Sequence, residues 1–487
     1  MVAVAPFPSS TPEAEGISSG AILGFVDAVE RQGLDLHGMV LLRHGAVIAE
    51  HYWEPYAASY RHMLFSLSKS FTSTAVGLAV GEGRLSIDDH VLDFFPDEAP
   101  SSPDARLRAL RVRHLLSMTS GHDPDPTALI RGPEGADKKW AKAFLAEPLV
   151  HDPGAHFVYN SLATYMLSAI VQKLTGQRIL HYLGPRLFEP LGIAQPTWQT
   201  SPQGVDTGGW GLSVRTPDIA RFGHLYLQRG MWQGKHLLAE DWVAQATSRQ
   251  VPNGLSENPD WEQGYGFQFW RCRHNVYRGD GMFGQFCVVM PDQDAVLAIT
   301  AGVMNMQAVL DQVWVVLLPA MGQGALPADP AAAARLADRF AARDAGAGAA
   351  SPLAAALSGR EFVLEENPLG LRSIELSFAA DGGAITISDA QGGQPSPFGY
   401  GRWVVGEGGM LGPRGGPILG AGSATVGGFA EWKDDRTLAV QLCWPETPFR
   451  LTLACRFEGD RLVVDPAMNV SFGPEELPRL EGRAVAK

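Results

Sequence analysis

A chain of 487 residues is too long for one ordinary hydrophobic core, so two domains or more are expected. Hydrophobic residues at 45% and charged residues at 19% are a globular balance and exclude extended disorder outside short linkers. A net charge of -13 argues against nucleic acid or an anionic membrane as partner.

Residues 12–33 read as a first helix, with Ile17, Ile22, Phe25, Val26 and Val29 as its apolar stripe and Ser18 or Ser19 as its cap. Two short apolar runs, Gly38–Leu42 and Ala46–Ala49, flank Arg43-His44-Gly45 as a hairpin. A helix follows at about 66–82, closed by Gly81 and Gly83. Leu85 to Phe95 reads as irregular. Helices are expected at 106–118, 161–175, 217–229 and 239–248, so the stretch from about 100 to 250 is mainly helical. Strands return at Tyr265–Trp270, Gln285–Met290 and Ala295–Thr300, and 305–320 reads as a closing helix.

Two early strands and three late ones predict an α+β domain over 1–321, with one antiparallel sheet flanked by helices and a helical insertion on its flank. Residues 322–357, rich in Ala, Gly, Pro and Asp, read as a linker with a short helix at 330–342. From 358 to 487 the pattern alternates: Ile374–Phe378, Ala384–Ile387, Thr437–Cys443, Leu451–Phe457 and Arg461–Val464 are strands between Gly/Asp turns, which predicts a C-terminal antiparallel barrel or sandwich.

One stretch carries chemistry. In Phe65-Ser66-Leu67-Ser68-Lys69-Ser70, Ser66 and Lys69 stand three apart, on one face of a helix. A serine hydroxyl needs a base to become a nucleophile, and a lysine serves if burial or nearby cations lower its pKa. A helix start adds N–H groups where an oxyanion would form. Lys69 is the only one of the eight lysines with a serine three residues before it, although a polar helix start with an exposed lysine is the plain alternative.

At Ser66-Leu67-Ser68-Lys69 the chain resembles the serine β-lactamase and penicillin-binding-protein superfamily, in the branch of β-lactamase-fold esterases, D-aminopeptidases and nylon-oligomer hydrolases. Further stretches carry the resemblance in order: Gly81–Asp89, Val112–Gly121, Pro153-Gly154, Phe157, Tyr159-Asn160-Ser161, Gly209-Trp210-Gly211-Leu212, Gly264-Tyr265-Gly266 and Gly281-Met282-Phe283-Gly284, spanning about 11–320. The resemblance implies that Tyr159, in a Tyr-x-Ser motif, manages the serine proton as a phenolate-leaning group beside the lysine ammonium. It implies that Ser161 orients Lys69 or the substrate carbonyl, with helix N-cap as the alternative, and that the backbone N–H groups of Ser66 and Met282 hold the oxyanion, Gly281 permitting the close approach.

The superfamily's cation-Thr-Gly strand is replaced by Gly279-Asp280-Gly281. Asp280 would repel a substrate carboxylate and attract an amine if it faces the site, or it caps a turn. Arg278 could restore the positive charge, but strand alternation is expected to point it and Asp280 differently unless a bulge intervenes. Trp210, Phe267, Trp270 and Phe283 are candidates for an apolar acyl pocket, with plain core packing as the alternative.

The expectation is a serine hydrolase acting on a small ester or amide, without cofactor or metal: no His-Glu-x-x-His occurs, the Gly-x-Ser-x-Gly match at Gly16–Gly20 has no strand before it to make a nucleophile elbow, and the Gly-x-Gly-x-x-Gly spacing at Gly279–Gly284 runs into a strand rather than a helix. Acyl transfer, peptide cyclisation, D-aminopeptidase-like amidase activity and a non-catalytic ligand sensor are the alternatives. Cys272, Cys287, Cys443 and Cys455 form no Cys-x-x-Cys pair, the N-terminus carries no signal-peptide pattern, and no apolar run reaches transmembrane length, so a cytoplasmic location is expected. The β-rich tail could cover the site, mediate contacts in a homo-oligomer or stabilise the chain.

Overall fold

The computed structural model describes residues 7–130, 132, 135, 137–254, 256–342, 351–409 and 423–485. They divide into two compact units. One holds the chain through His51, Arg61–Ala301 and Asn305–Leu336; the other holds Tyr52–Tyr60, Gly302–Met304 and the chain from Ala337 onward.

The first unit is built on a six-stranded sheet. Its strands are β1 (Leu36–Arg43), β2 (Ala46–Tyr52), β3 (Trp270–Arg271), β4 (Tyr277–Gly281), β5 (Gln285–Met290) and β6 (Ala295–Ala301), in the order β2-β1-β6-β5-β4-β3. The β1–β6, β6–β5, β5–β4 and β4–β3 pairs are antiparallel, so the ends of this part of the chain meet at β1 and β6. The strands β1, β4, β5 and β6 are buried along their whole length, which places both faces of the central sheet under helices.

On the helical side, α1 (Ser19–Arg31) starts where the Ser18 hydroxyl accepts from Ala21 N–H, and it buries Ile22, Phe25, Val26 and Val29. The helix α2 (Ser68–Gly81) is buried almost all round, and its Phe71 ring stacks on Phe222 at 3.9 Å. In the same core as α2 lie α3 (Ser161–Thr175), capped by Asn160 and closed by left-handed Gly176, and α4 (Thr216–Leu227).

Three expectations are corrected here. The helix expected at 106–118 is two short ones, Ala105–Ala109 and Val112–Leu116. Between them Leu110 and Arg111 are extended: Leu110 C=O accepts from Val91 N–H and Arg111 bridges His90, so strand-like pairing interrupts the helix. The strand expected at Tyr265–Trp270 is mostly a tight turn, in which Gly266 N–H donates to Phe269 C=O and Gln268 has φ +65; only Trp270 enters the sheet. The late strands number four, because Tyr277–Gly281 joins them.

In the second unit, the described residues form ten strands. β7 (Arg360–Leu364), β8 (Ser373–Ala379), β9 (Gly382–Ser388), β10 (Pro395–Tyr400), β11 (Val404–Gly409), β12 (Ser423–Trp432), β13 (Thr437–Cys443), β14 (Arg450–Glu458), β15 (Arg461–Met468) and β16 (Leu480–Ala484) run in the order β10-β9-β8-β7-β16-β15-β14-β13-β12-β11. A parallel pairing of β10 with β12 at Gly399–Phe429 and Tyr400–Ala430 closes nine of them into a barrel, with β11 hung on β12. Its core comes from alternate positions, as with Leu438, Val440 and Leu442. The fold class is therefore the expected one, with a barrel as its C-terminal part.

Candidate active site

Ser66 does not stand inside α2. It sits in a single 3-10 turn, Phe65–Leu67, just ahead of the helix. Phe65 before it has φ +46, a left-handed backbone that a bulky residue adopts only when its surroundings impose it. The Phe65 ring is held edge-on to Phe283 at 5.4 Å, and Leu64 N–H is fixed by Leu212 C=O.

Lys69, one turn on, is 1% exposed. Its Nζ lies 2.9 Å from Ser66 Oγ, 3.0 Å from Ser161 Oγ and 2.8 Å from Gly209 C=O. A neutral amine has two N–H donors and one lone pair. The carbonyl of Gly209 only accepts, and Ser161 can accept, which leaves the lone pair for the Ser66 proton. Burial lowers the Lys69 pKa to about 7, with the charges of Asp125 and Asp280 pulling the other way. At neutral pH a large share of this lysine is therefore a base.

Tyr159 stacks on Trp270 at 5.3 Å and stands edge-on to Tyr265 at 6.2 Å. Lys69 Nζ is 4.7 Å from its ring centroid. Burial, then the charge of Asp280, pushes the Tyr159 pKa well up. The phenolate-leaning tyrosine expected from the sequence is thus corrected: this environment holds the phenol protonated.

Ser161 is the first residue of α3, and the cap is Asn160, whose side chain accepts from Ala163 N–H at 2.9 Å. The N-cap alternative for Ser161 is corrected accordingly, and its hydroxyl is left to meet Lys69. The loop that brings the Gly209 carbonyl passes so close to the start of α3 that a Cβ on Gly209 would lie 2.7 Å from Ser161 C=O.

The strand β4 runs along the turn that carries Ser66. A Cβ on Gly281 would meet Leu64 C=O at 2.0 Å and Leu67 N at 3.1 Å, so only glycine fits. Met282 follows in the turn Gly281–Gly284, with its carbonyl accepting from Gln285 Nε2.

Arg278 and Asp280 are two apart on β4 and share a face, and the β4–β5 register runs unbroken from Tyr277 to Gly281. The expectation that alternation would separate them is wrong: period two brings them together. Their side chains pair at 2.8 Å, 0% and 6% exposed. Arg278 also donates to Asp260 C=O at 2.7 Å and lies over Trp261 at 4.1 Å. Burial raises the Asp280 pKa, and Arg278, Lys69 and the Trp270 indole pull it back toward the ionised form.

The four aromatic candidates do not converge on one pocket. Trp270 supports Tyr159 and Phe283 supports Phe65, while Phe267 packs on Trp242 at 5.7 Å and Trp210 on Trp140 at 5.7 Å. Two contributors escaped the sequence reading. Asp125, its Oδ1 held by Thr127 N–H and Oγ1, acts on Lys69 through charge. The Gly209 carbonyl is a backbone atom, and no residue type announces it.

The Beta-lactamase family model matches residues 26–318, more than half of the chain. The chain belongs to the Beta-lactamase family. It is 28% identical to a 6-aminohexanoate-dimer hydrolase of Paenarthrobacter ureafaciens over 276 residues, 53% of this chain and 70% of the relative. Among solved structures, EstCE1, a hydrolase with promiscuous acyltransferase activity, aligns with 61% of this chain and 99% of its own at TM-score 0.51 and 18% identity. SurE with D-Leu aligns with 88% of this chain and 97% of its own at TM-score 0.50 and 20% identity. Both share the fold with this Beta-lactamase family chain. No helix among the described residues is long and apolar enough to cross a membrane.

Proposed function

We propose that the chain is a serine hydrolase that cleaves a small ester or amide through an acyl-enzyme on Ser66. The observation that carries this reading is the buried Lys69 amine, 2.9 Å from Ser66 Oγ, with its pKa lowered to about 7. Ser66 Oγ forms the bond to the carbonyl carbon while its proton passes to Lys69 Nζ. The N–H groups of Ser66 and Met282 receive the oxyanion, which Gly281 permits by its close approach. Collapse breaks the bond to the leaving alcohol or amine, which takes a proton through Tyr159. Water then attacks the acyl-enzyme, giving its proton back through the same groups.

The substrate class follows from charge. Arg278 is held by Asp280, Asp260 C=O and two indoles, so it is not available to a substrate carboxylate. Asp125 and Asp280 act on Lys69 as negative charges, which favours a neutral or amine-bearing substrate over a β-lactam or peptidoglycan stem. The relative is a 6-aminohexanoate-dimer hydrolase, and the amine end of such a dimer, though not its carboxylate end, fits this preference. A second reading, transfer of the acyl group to an acceptor other than water, is favoured by the promiscuous acyltransferase activity of EstCE1.

Fluorophosphonate labelling of wild type and Ser66→Ala tests the proposal. Label on wild type alone, with turnover of p-nitrophenyl butyrate, supports it. Label on neither protein favours a ligand-sensing role.

A further inference from the structure

Outside the Ser66 site, one cluster of metal-ligating side chains stands among the described residues of the first unit. Asp123, His151 and His156 each present one ligand atom, and these atoms lie within 4.8 Å of one another. His151 Nε2 is 3.1 Å from Asp123 Oδ2, and the two imidazole rings are 4.3 Å apart at 43°. We propose that these three residues form a site for one divalent transition-metal cation, and that the cation clamps together the two chain segments that carry Asp125 and Tyr159.

The backbone beneath the cluster is fixed without a metal. Val150 and His151 N–H both donate to Gly121 C=O, at 2.8 and 3.0 Å, and Gly154 N–H donates to Thr119 C=O at 2.8 Å. Arg106 holds the next residue, with Nε 2.7 Å from Asp152 Oδ1 and Nη1 3.0 Å from Leu149 C=O. Only side-chain rotations remain to close the site. A tetrahedral zinc with ligand distances of about 2.0–2.2 Å needs the donor atoms closer than the widest present spacing, and partly exposed imidazoles can supply that movement.

The donor set selects the ion. Two imidazoles and one carboxylate suit Zn²⁺, Ni²⁺ or Cu²⁺, whereas Mg²⁺ and Ca²⁺ take oxygen sites. Three protein ligands leave a coordination position for water. Asp123 is 46% exposed and His151 33%, so the ion has an open path in. Asp125 follows Asp123 by two residues and Tyr159 follows His156 by three, so a loaded site restrains both segments without touching Ser66.

Zinc binding to the full chain, stripped by chelator and then dialysed, tests this. Titration against a chromophoric chelator is expected to show one Zn²⁺ per chain in wild type, with affinity at least tenfold weaker in His151→Ala, His156→Ala and Asp123→Asn. Zn²⁺ should raise the Tm of wild type and leave that of the His151→Ala/His156→Ala variant unchanged. Co²⁺ on wild type should give the visible bands of a four- or five-coordinate ion, a readout that does not depend on any variant folding. No stoichiometric uptake by wild type, uptake retained in the double variant, or a six-coordinate aqua-like Co²⁺ spectrum would each overturn the proposal. None of these readouts depends on Ser66 chemistry.

Discussion

Arg278 Nη2 lies 2.8 Å from Asp280 Oδ2 on adjacent same-face positions of one strand, and both side chains are withdrawn from solvent. Two charges leave water together here, so the pair is costly to form and costlier to break. Arg278→Met strands a buried carboxylate and is expected to destabilise the first unit by about 3–5 kcal/mol, while joint replacement of both residues by apolar side chains recovers most of the loss. Urea unfolding of the two single variants and the double variant checks this. Additive losses would show that the residues act separately.

The acid limb of the pH–rate profile follows from Lys69. The proposed base is the unprotonated amine, so kcat/KM should rise with pH through an apparent pKa near 7 and then level off. Asp125 holds that pKa up by its charge. Asp125→Asn should therefore move the limb to lower pH, by up to about one unit. A profile that stays in place in Asp125→Asn would remove the electrostatic link between the two residues.

Much of this was legible in the sequence where one signal dominated. Leu438, Val440 and Leu442 alternate cleanly, and Thr437–Cys443 forms as a strand with those bounds. Leu162, Met166, Ala169 and Ile170 repeat at helical spacing, and Ser161–Thr175 is a helix. The strands Pro395–Tyr400 and Val404–Gly409 were hidden by proline and glycine, which lower strand propensity while the barrel still pairs them. In Tyr277–Gly281 the glycines that conceal a strand are there because Leu64, Leu67 and Ser70 leave no room for a Cβ. Ser66 and Lys69, named from residue type and spacing, and Tyr159, named from the resemblance, stand together in the structure. Asp125 was not, since a charge acting through space leaves no local pattern.

Tyr159→Phe separates chemistry from architecture. The ring keeps its stack on Trp270 and its edge contact with Tyr265, so Tm should change little. Loss of the hydroxyl removes the proposed proton route to the leaving group, and kcat should fall by about 10²–10⁴-fold. Activated p-nitrophenyl esters, whose leaving group needs no proton, should lose less than an alkyl ester or an amide. Equal losses across the three substrates would place Tyr159 outside leaving-group protonation.

Lys69→Met should stabilise the protein while abolishing activity. Burial lowers the lysine from the ordinary value of 10.5 to about 7 in the folded chain. Between those two pH values the unfolded chain holds a proton that the folded chain has released, so wild-type stability from this group rises as pH rises through that window. Below pH 7 both states are protonated and the full cost of the buried charge is present. Methionine has no such dependence and fits a similar volume. The stability advantage of Lys69→Met should therefore be smallest near pH 10, grow as pH falls toward 7, and stay constant below it. Urea unfolding of both proteins across that range gives the difference directly, and a difference that does not vary with pH would mean that Lys69 keeps its ordinary pKa when buried.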